Sequence, residues 1–317
     1  MTMHHNNLHW ITTPLLNVVL LASIGSTWAG ENPIAVIYPD IGEPYREVFE
    51  KIIEGIESQS GAPVTKHAVR AETSTESLNL SLRQQNTKVV IALGRQGMKA
   101  AATLDRNISI VTGGVLNVPQ SEVLSAPVVS LSPDPALLFA RLKKLIPSAK
   151  RIFVVYDSAI NDWLIKLATE AAQAQGLNLV AYQARDVRNA VSLYQEIFST
   201  ADSRKDALWL PQDPITVEEG SILPLVLQEA WSKSIAVFSS NSSHVRRGAL
   251  FALYPNNIAM GETLGEIAQN FLITGVFDQP GMMPLDDVLM AINLRTAKHL
   301  DLNTSHQKNF DMIFPDQ

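Results

Sequence analysis

The chain has 317 residues, 46% of them hydrophobic and 18% charged, with a net charge of −6 and no cysteine. This is the composition of a globular chain with enough apolar material for a large core, and it excludes disordered and fibrous classes. Its largest cationic cluster is Arg246-Arg247, so neither nucleic acid nor an anionic membrane surface is an expected partner.

The amino-terminal stretch runs from polar MTMHHNNLHW through apolar TPLLNVVLLASIG to STWAG. That order predicts a secretory signal over residues 1–29, cleaved after Ala29. Its n-region carries no Lys or Arg, only His4, His5 and His9, which leaves a buried N-terminal helix as the other reading. The apolar run is too short to span a bilayer. Without cysteine there is neither a disulfide nor an N-terminal lipid attachment, so the expected location is the periplasm, as a free protein and not a lipoprotein.

Beyond the leader, short Val- and Ile-rich runs at 34–38, 88–93, 108–111, 151–156, 177–182, 206–210 and 234–238 are bounded by turn residues. They have the pattern of parallel strands covered on both faces, with amphipathic helices between most of them. IAVIYPD at the start is nearly repeated by IFVVYDS more than a hundred residues later. Helical spacing follows each: Val48, Phe49, Ile52, Ile53 and Ile56 in one, Trp163, Leu164, Leu167, Ala168 and Ala171 in the other. The expected fold class is α/β, with two doubly wound parallel-sheet lobes joined by a multi-strand hinge. The first lobe is expected to hold residues 33–130 plus 255–278, and the second 131–254 plus 279–317. Between them Ser132 or Asp134 caps a helix around Pro135. A long helix over about 257–273 and a last strand near 288–292 complete the chain.

In open parallel sheets, ligands bind beyond the carboxyl ends of the strands. Two such sheets facing each other place Tyr38 and Asp40 opposite Tyr156 and Asp157 on one cleft, unless these residues are only caps and rim packing. The loop Gly94-Arg95-Gln96-Gly97 joins a strand to an Ala-rich helix. Its glycines permit close backbone approach, and its free N–H groups with Arg95 favour an anion such as a carboxylate. The alternative is an ordinary turn with an exposed arginine. Asp213 in LWLPQDPIT either receives a ligand ammonium or caps the turn before Pro214. Ser239, Ser240 and Asn241 offer short hydrogen-bonding side chains, with Gly113, Gly114 and Asn117 as the matching rim of the first lobe.

Enzyme signatures are missing: no G-x-S-x-G, no phosphate-binding loop, no H-E-x-x-H and no cysteine nucleophile. The histidines after the leader are scattered without metal-ligand spacing. No catalytic residue, metal or cofactor is expected.

The segments DALWLPQD, IAVFSSNSSHVRRGALFALYPNN, MGETLGEIAQNFL and AINLRTAKHLDL resemble the substrate-binding proteins of ABC transporters, in the type I periplasmic-binding superfamily. They are most similar to the branch that includes receptors for aromatic amino acids. The resemblance covers about residue 33 to the end, and its most specific pieces are Gly248–Leu253 and Asn293–Leu300. It implies a monomeric, two-lobed, three-crossover protein that closes on a solute and presents it to a membrane permease. It also implies a small hydroxyl residue on the ligand carboxylate in the loop corresponding to GRQG, where this chain has Arg95. The expected ligand is therefore a small anionic or zwitterionic metabolite. The alternative on the same scaffold is a ligand-sensing or accessory envelope protein that does not transport.

Overall fold

The computed structural model describes Met1 and residues 32–118, 126–304 and 310–315, so residues 2–29 of the expected leader lie outside it. Glu31–Gln317 gather into one compact unit that holds two sheets.

Each apolar run seen in the sequence becomes a strand. In the first half these are β1 (Ile34–Pro39), β3 (Val89–Leu93) and β4 (Ser109–Val115). In the second they are β6 (Arg151–Tyr156), β7 (Asn178–Gln183), β8 (Asp206–Leu210) and β9 (Ala236–Ser239). Three polar or proline-bounded segments join them: β2 (Val64–Val69), β5 (Pro127–Pro133) and β10 (Phe251–Pro255). Late in the chain come β11 (Gly281–Leu285), β12 (Val288–Asn293) and β13 (Met312–Phe314). The first sheet has the order β11-β5-β4-β3-β1-β2 and is parallel throughout. The second has the order β13-β12-β10-β9-β8-β6-β7, with β10 and β12 antiparallel. The run β2-β1-β3-β4-β5 in one sheet is matched by β7-β6-β8-β9-β10 in the other, so the repeated strand endings occupy equivalent positions.

Both sheets are buried on both faces, because alternate side chains point to opposite sides. In the first, Ile34, Val36 and Ile91 meet Ile52 and Ile56 of α1 (Tyr45–Gln59) and Leu264 of α9 (Asn257–Thr274). Ala35, Ile37 and Val90 meet Leu78 and Leu82 of α2 (Thr75–Gln84) and Ala101 of α3 (Gly94–Ala101). In the second, Ile152, Val154 and Trp209 pack on α4 (Pro135–Leu145) and α5 (Ser158–Ala174), while Phe153, Val155 and Leu208 pack on α6 (Val187–Thr200) and α7 (Ile222–Ser232). α8 (Ser242–Arg247) and α10 (Leu294–His299) are short. At roughly 1.5–3 kcal/mol for each large apolar side chain removed from water, these layers supply the stability a cysteine-free chain needs.

The chain passes between the sheets three times: after β5, after β10 and between β11 and β12. The crossings are tied to one another. Asp134 N–H donates to the Leu285 carbonyl and Asn256 N–H to that of Asp287, both at 2.9 Å, while Thr263 Oγ1 donates to Asp287 Oδ2 at 2.6 Å. Of the two capping candidates ahead of Pro135, Asp134 takes the role, accepting Ala136 N–H at 2.6 Å. The sheets divide the chain differently from the expected boundaries at 130 and 279. β5 continues the first sheet to Pro133, and β11 belongs to it as well, with Met282 opposite Val128. GMMPL carries a glycine and a proline, which hid its strand character, and it is an edge strand, where such residues are tolerated.

Candidate functional site

Strand order reverses at β1/β3 in the first sheet and at β6/β8 in the second, the two switch points where a ligand crevice forms. Every residue singled out in the sequence falls at the carboxyl end of β1, β3, β4, β6, β8 or β9 or just beyond it. The two sets of ends meet. Asn117, after β4, donates through Nδ2 to the Ala159 carbonyl in the first turn of α5 at 3.0 Å. Gln212, after β8, reaches the Leu131 carbonyl of β5 at 3.4 Å and that of Ser240 at 3.0 Å.

The first-lobe lip is open and charged. Tyr38 is half-buried. It lines a shallow cavity of about 240 Å³ with Asp40, Arg46 and Glu50. Asp40 is held by Arg70, whose Nε and Nη2 both lie 2.6 Å from Oδ2. At the end of β3 the structure modifies the expected loop: Gly94-Arg95-Gln96-Gly97 is the first turn of α3 itself. Gly94 takes φ +66°, the left-handed conformation that lets the strand turn straight into the helix. Gly97 lets α3 sit on the sheet, since a Cβ there would lie 2.6 Å from the Ile37 carbonyl oxygen. These two glycines therefore serve the turn and the helix packing, and the Gly97 side faces protein instead of the crevice. Gly114 (φ +69°) borders Gly94 and Phe49. Arg95 and Gln96 are exposed. Arg95 takes part in none of the ion pairs among the described residues. Among the described residues no side chain caps the start of α3 or of α1.

The second-lobe lip is internally bonded. Asp157 caps α5, accepting Ala159 N–H at 2.9 Å. Asp213 is buried, and its carboxylate accepts four hydrogen bonds. Oδ1 takes those of Ile215 N–H (3.0 Å) and Thr216 N–H (2.9 Å), and Oδ2 those of Asp157 N–H (2.7 Å) and Asn161 Nδ2 (3.0 Å). Of its two expected roles it fills the capping one, pinning the β8 loop to β6 and α5, and no oxygen is left to receive an ammonium. Tyr156 is half-buried, and burial, with Asp162 adding to it, raises its phenol above the ordinary value.

Ser239 and Ser240 are fully buried, which corrects their expected place on the rim. Ser240 accepts the Trp209 indole N–H at 3.1 Å. Ser239 Oγ lies 3.1 Å from the Leu210 carbonyl, 2.8 Å from His244 Nδ1 and 3.1 Å from Asn241 N–H. The hydroxyl has one hydrogen to give, and the carbonyl can only accept. The Leu210 carbonyl already accepts Ser240 N–H at 3.1 Å, so the Oγ hydrogen goes to that carbonyl or to His244 Nδ1 according to the imidazole tautomer. With Glu219 4.0 Å from His244 Nε2, the row has the composition of a nucleophile, base and acid. Ser239 is sealed from solvent, and the exposed Glu219 at 4.0 Å is beyond hydrogen-bond reach of the imidazole, so the row lacks both the access and the orienting contact that activate a serine. Burial, with Arg247 adding to it, lowers the imidazole to about 4, so it is neutral. Asn241 caps α8 through Ser243 N–H at 2.9 Å. Among the described residues no group of three or more His, Asp or Glu side chains is placed to hold a metal.

The sequence model of the ABC transporter substrate binding protein family matches residues 54–308. The chain belongs to that family. Among curated proteins none matches it, whereas solved structures do. A ligand-free, open substrate binding protein with adhesive properties from Clostridium difficile is 19% identical, with 88% of this chain and 98% of that one aligned and a TM-score of 0.63. The ABC domain of a Streptococcus pneumoniae protein in complex with L-Trp is 15% identical over 90% and 100%, with a TM-score of 0.55. A conserved domain protein of Vibrio cholerae is 18% identical over 89% and 100%, also at 0.55. With both parallel-sheet lobes described, the architecture is the type I periplasmic-binding fold.

Several polar residues at these strand ends were not legible in the sequence. Arg70 follows β2, an edge strand too polar to stand out. Asn161 lies one helical turn beyond Asp157, and only the fold brings it to Asp213. Gln212 is a neighbour of Asp213, but its reach to the other lobe depends on tertiary placement. A cavity of about 590 Å³ between α9, β5 and β11 contains none of the expected site residues.

Proposed function

We propose that this protein captures a small anionic or zwitterionic solute between its lobes and delivers it, as a monomer in the periplasm, to an ABC permease. The solute-binding role follows from the family. The observation that supports the anionic ligand is the start of α3, where among the described residues the first-turn N–H groups have no capping side chain and Arg95 stands beside them without a carboxylate partner. The opposing helix starts of α5 and α8 are already capped by Asp157 and Asn241. An anion is accordingly received on the first lobe, where the helix dipole and the guanidinium favour it. The half-buried Tyr156, a neutral donor at physiological pH, and the Asn117 amide meet the ligand from around the closing edge. Closure then follows from the higher affinity of the two-lobe site over either lip alone. We read the scaffold as a binder and not an enzyme, in keeping with the full burial of Ser239.

Calorimetric titration with amino acids, short peptides and carboxylates tests this. An anionic binder is expected, and Arg95→Ala is expected to weaken it by about tenfold or more, some 1.4 kcal/mol. A ligand that binds Arg95→Ala as tightly as the parent chain overturns the anion site. A screen with no binder, in a chain whose scattering profile never changes, overturns solute capture.

A further inference from the structure

Arg246, Arg247 and Arg295 line one shallow groove of about 470 Å³ with Pro224, Leu227 and Trp231, and no carboxylate is among its lining residues. In a chain of net charge −6, this is a concentrated positive surface. It lies on the second lobe, lined from α7, α8, α10 and the end of β12, and shares no residue with the strand-end site.

All three arginines are exposed. Their guanidiniums are positioned by contacts that leave most of their charge uncompensated. Arg246 lies 5.2 Å over the Phe314 ring, and Arg295 lies 5.3 Å from the Trp231 centroid. Arg247 donates to the Glu219 carbonyl at 2.8 Å, with the Glu219 carboxylate 3.9 Å away. These anchors stand on β13, on α7 and on the loop before α7, so each guanidinium is held by a different element. Three separately held guanidiniums along one groove suit an extended polyanion carrying several charges. A nucleic acid would need an aromatic face to stack on, and Trp231 has one face covered by His299, stacked at 3.8 Å and 10°. The apolar part of the wall, Pro224 and Leu227, suits side chains instead.

We propose that this groove docks an acidic segment of a partner protein, its carboxylates on the three guanidiniums and its apolar side chains on Pro224 and Leu227. The surface is separate from the cleft and does not depend on which solute is carried. The test is fluorescence anisotropy on the full chain with a short labelled peptide of repeating Glu-Glu-Leu triads, against a Lys-Lys-Leu peptide and oligothymidylate. The acidic peptide is expected to bind, to be weakened by salt, and to lose about tenfold or more in affinity when Arg246→Gln and Arg295→Gln are combined. If that pair lowers the melting temperature, Arg246→Gln alone is used and a several-fold loss is expected. Undiminished binding by the folded variant, equal binding of oligothymidylate, or no binding by the parent chain overturns the proposal.

Discussion

His244 illustrates how a residue that stands out in a sequence is put to structural use. It is buried, shares a hydrogen bond with Ser239, and is held near a pKa of about 4, against an ordinary 6.5, chiefly by burial. The folded form binds its proton less readily than the unfolded chain does. The stability it contributes is therefore complete above pH 6.5 and is lost as pH falls from there to about 4. The full effect is roughly 3 kcal/mol, at about 1.4 kcal/mol per pH unit of displacement. Urea unfolding between pH 7 and pH 4 should show that loss in the parent chain. In His244→Gln the same slope should be reduced by this share, although the variant is less stable at pH 7. Identical slopes would mean that the imidazole is not buried as a neutral group. Asp213 makes the same point without titration. Leucine and tryptophan around it announced a strand end, but nothing local foretold that Asn161 and the Asp157 amide would take up Oδ2.

Among elements, the crossing of α1 and α9 is the most demanding contact. A Cβ at Gly261 would stand 2.0 Å from the Ile52 carbonyl oxygen, and one at Gly55 2.0 Å from that of Ile258. The two backbones touch, and they join the first lobe to a helix that arrives from the second. Gly261→Ala has no flexible side chain to push aside, so a loss of more than about 3 kcal/mol is expected in chemical denaturation. Gly42→Ala, with open space around it, should be neutral within about 0.5 kcal/mol. Equal stabilities would sink this account of the helix pair. Legibility also divides at this scale. Strands buried on both faces, such as β3 and β8, declare themselves by composition. β2, whose side chains are largely exposed or half-exposed, and β5, bounded by prolines, do not.

For the molecule as a whole, the bond from Asn117 to Ala159 is a direct link between the lips of the lobes, beside that from Gln212 to Leu131, while the three crossings form the other side of the hinge. Asn117→Ala removes one hydrogen bond worth about 1 kcal/mol, and that is enough to shift a two-state hinge severalfold toward its open form. Small-angle scattering of the ligand-free chain should show a larger radius of gyration for the variant, and ligand should restore the compact value. An unchanged radius in both states would mean that the lips are not held by this contact.

The sequence by itself determined the α/β alternation, the two matched halves and the strand ends where a site belongs, because buried parallel strands must be continuously apolar and their loops must be polar. It also carried the family resemblance. Only the tertiary structure decided which polar groups remain available there. Asp213, Ser239 and Ser240 are used up by partners near and far in sequence, while Arg95 has no ion-pair partner among the described residues, since hydrogen-bond satisfaction depends on what the fold brings within about 3 Å. The place of β11 in the first sheet was likewise decided by pairing with β5, a contact between segments far apart along the chain.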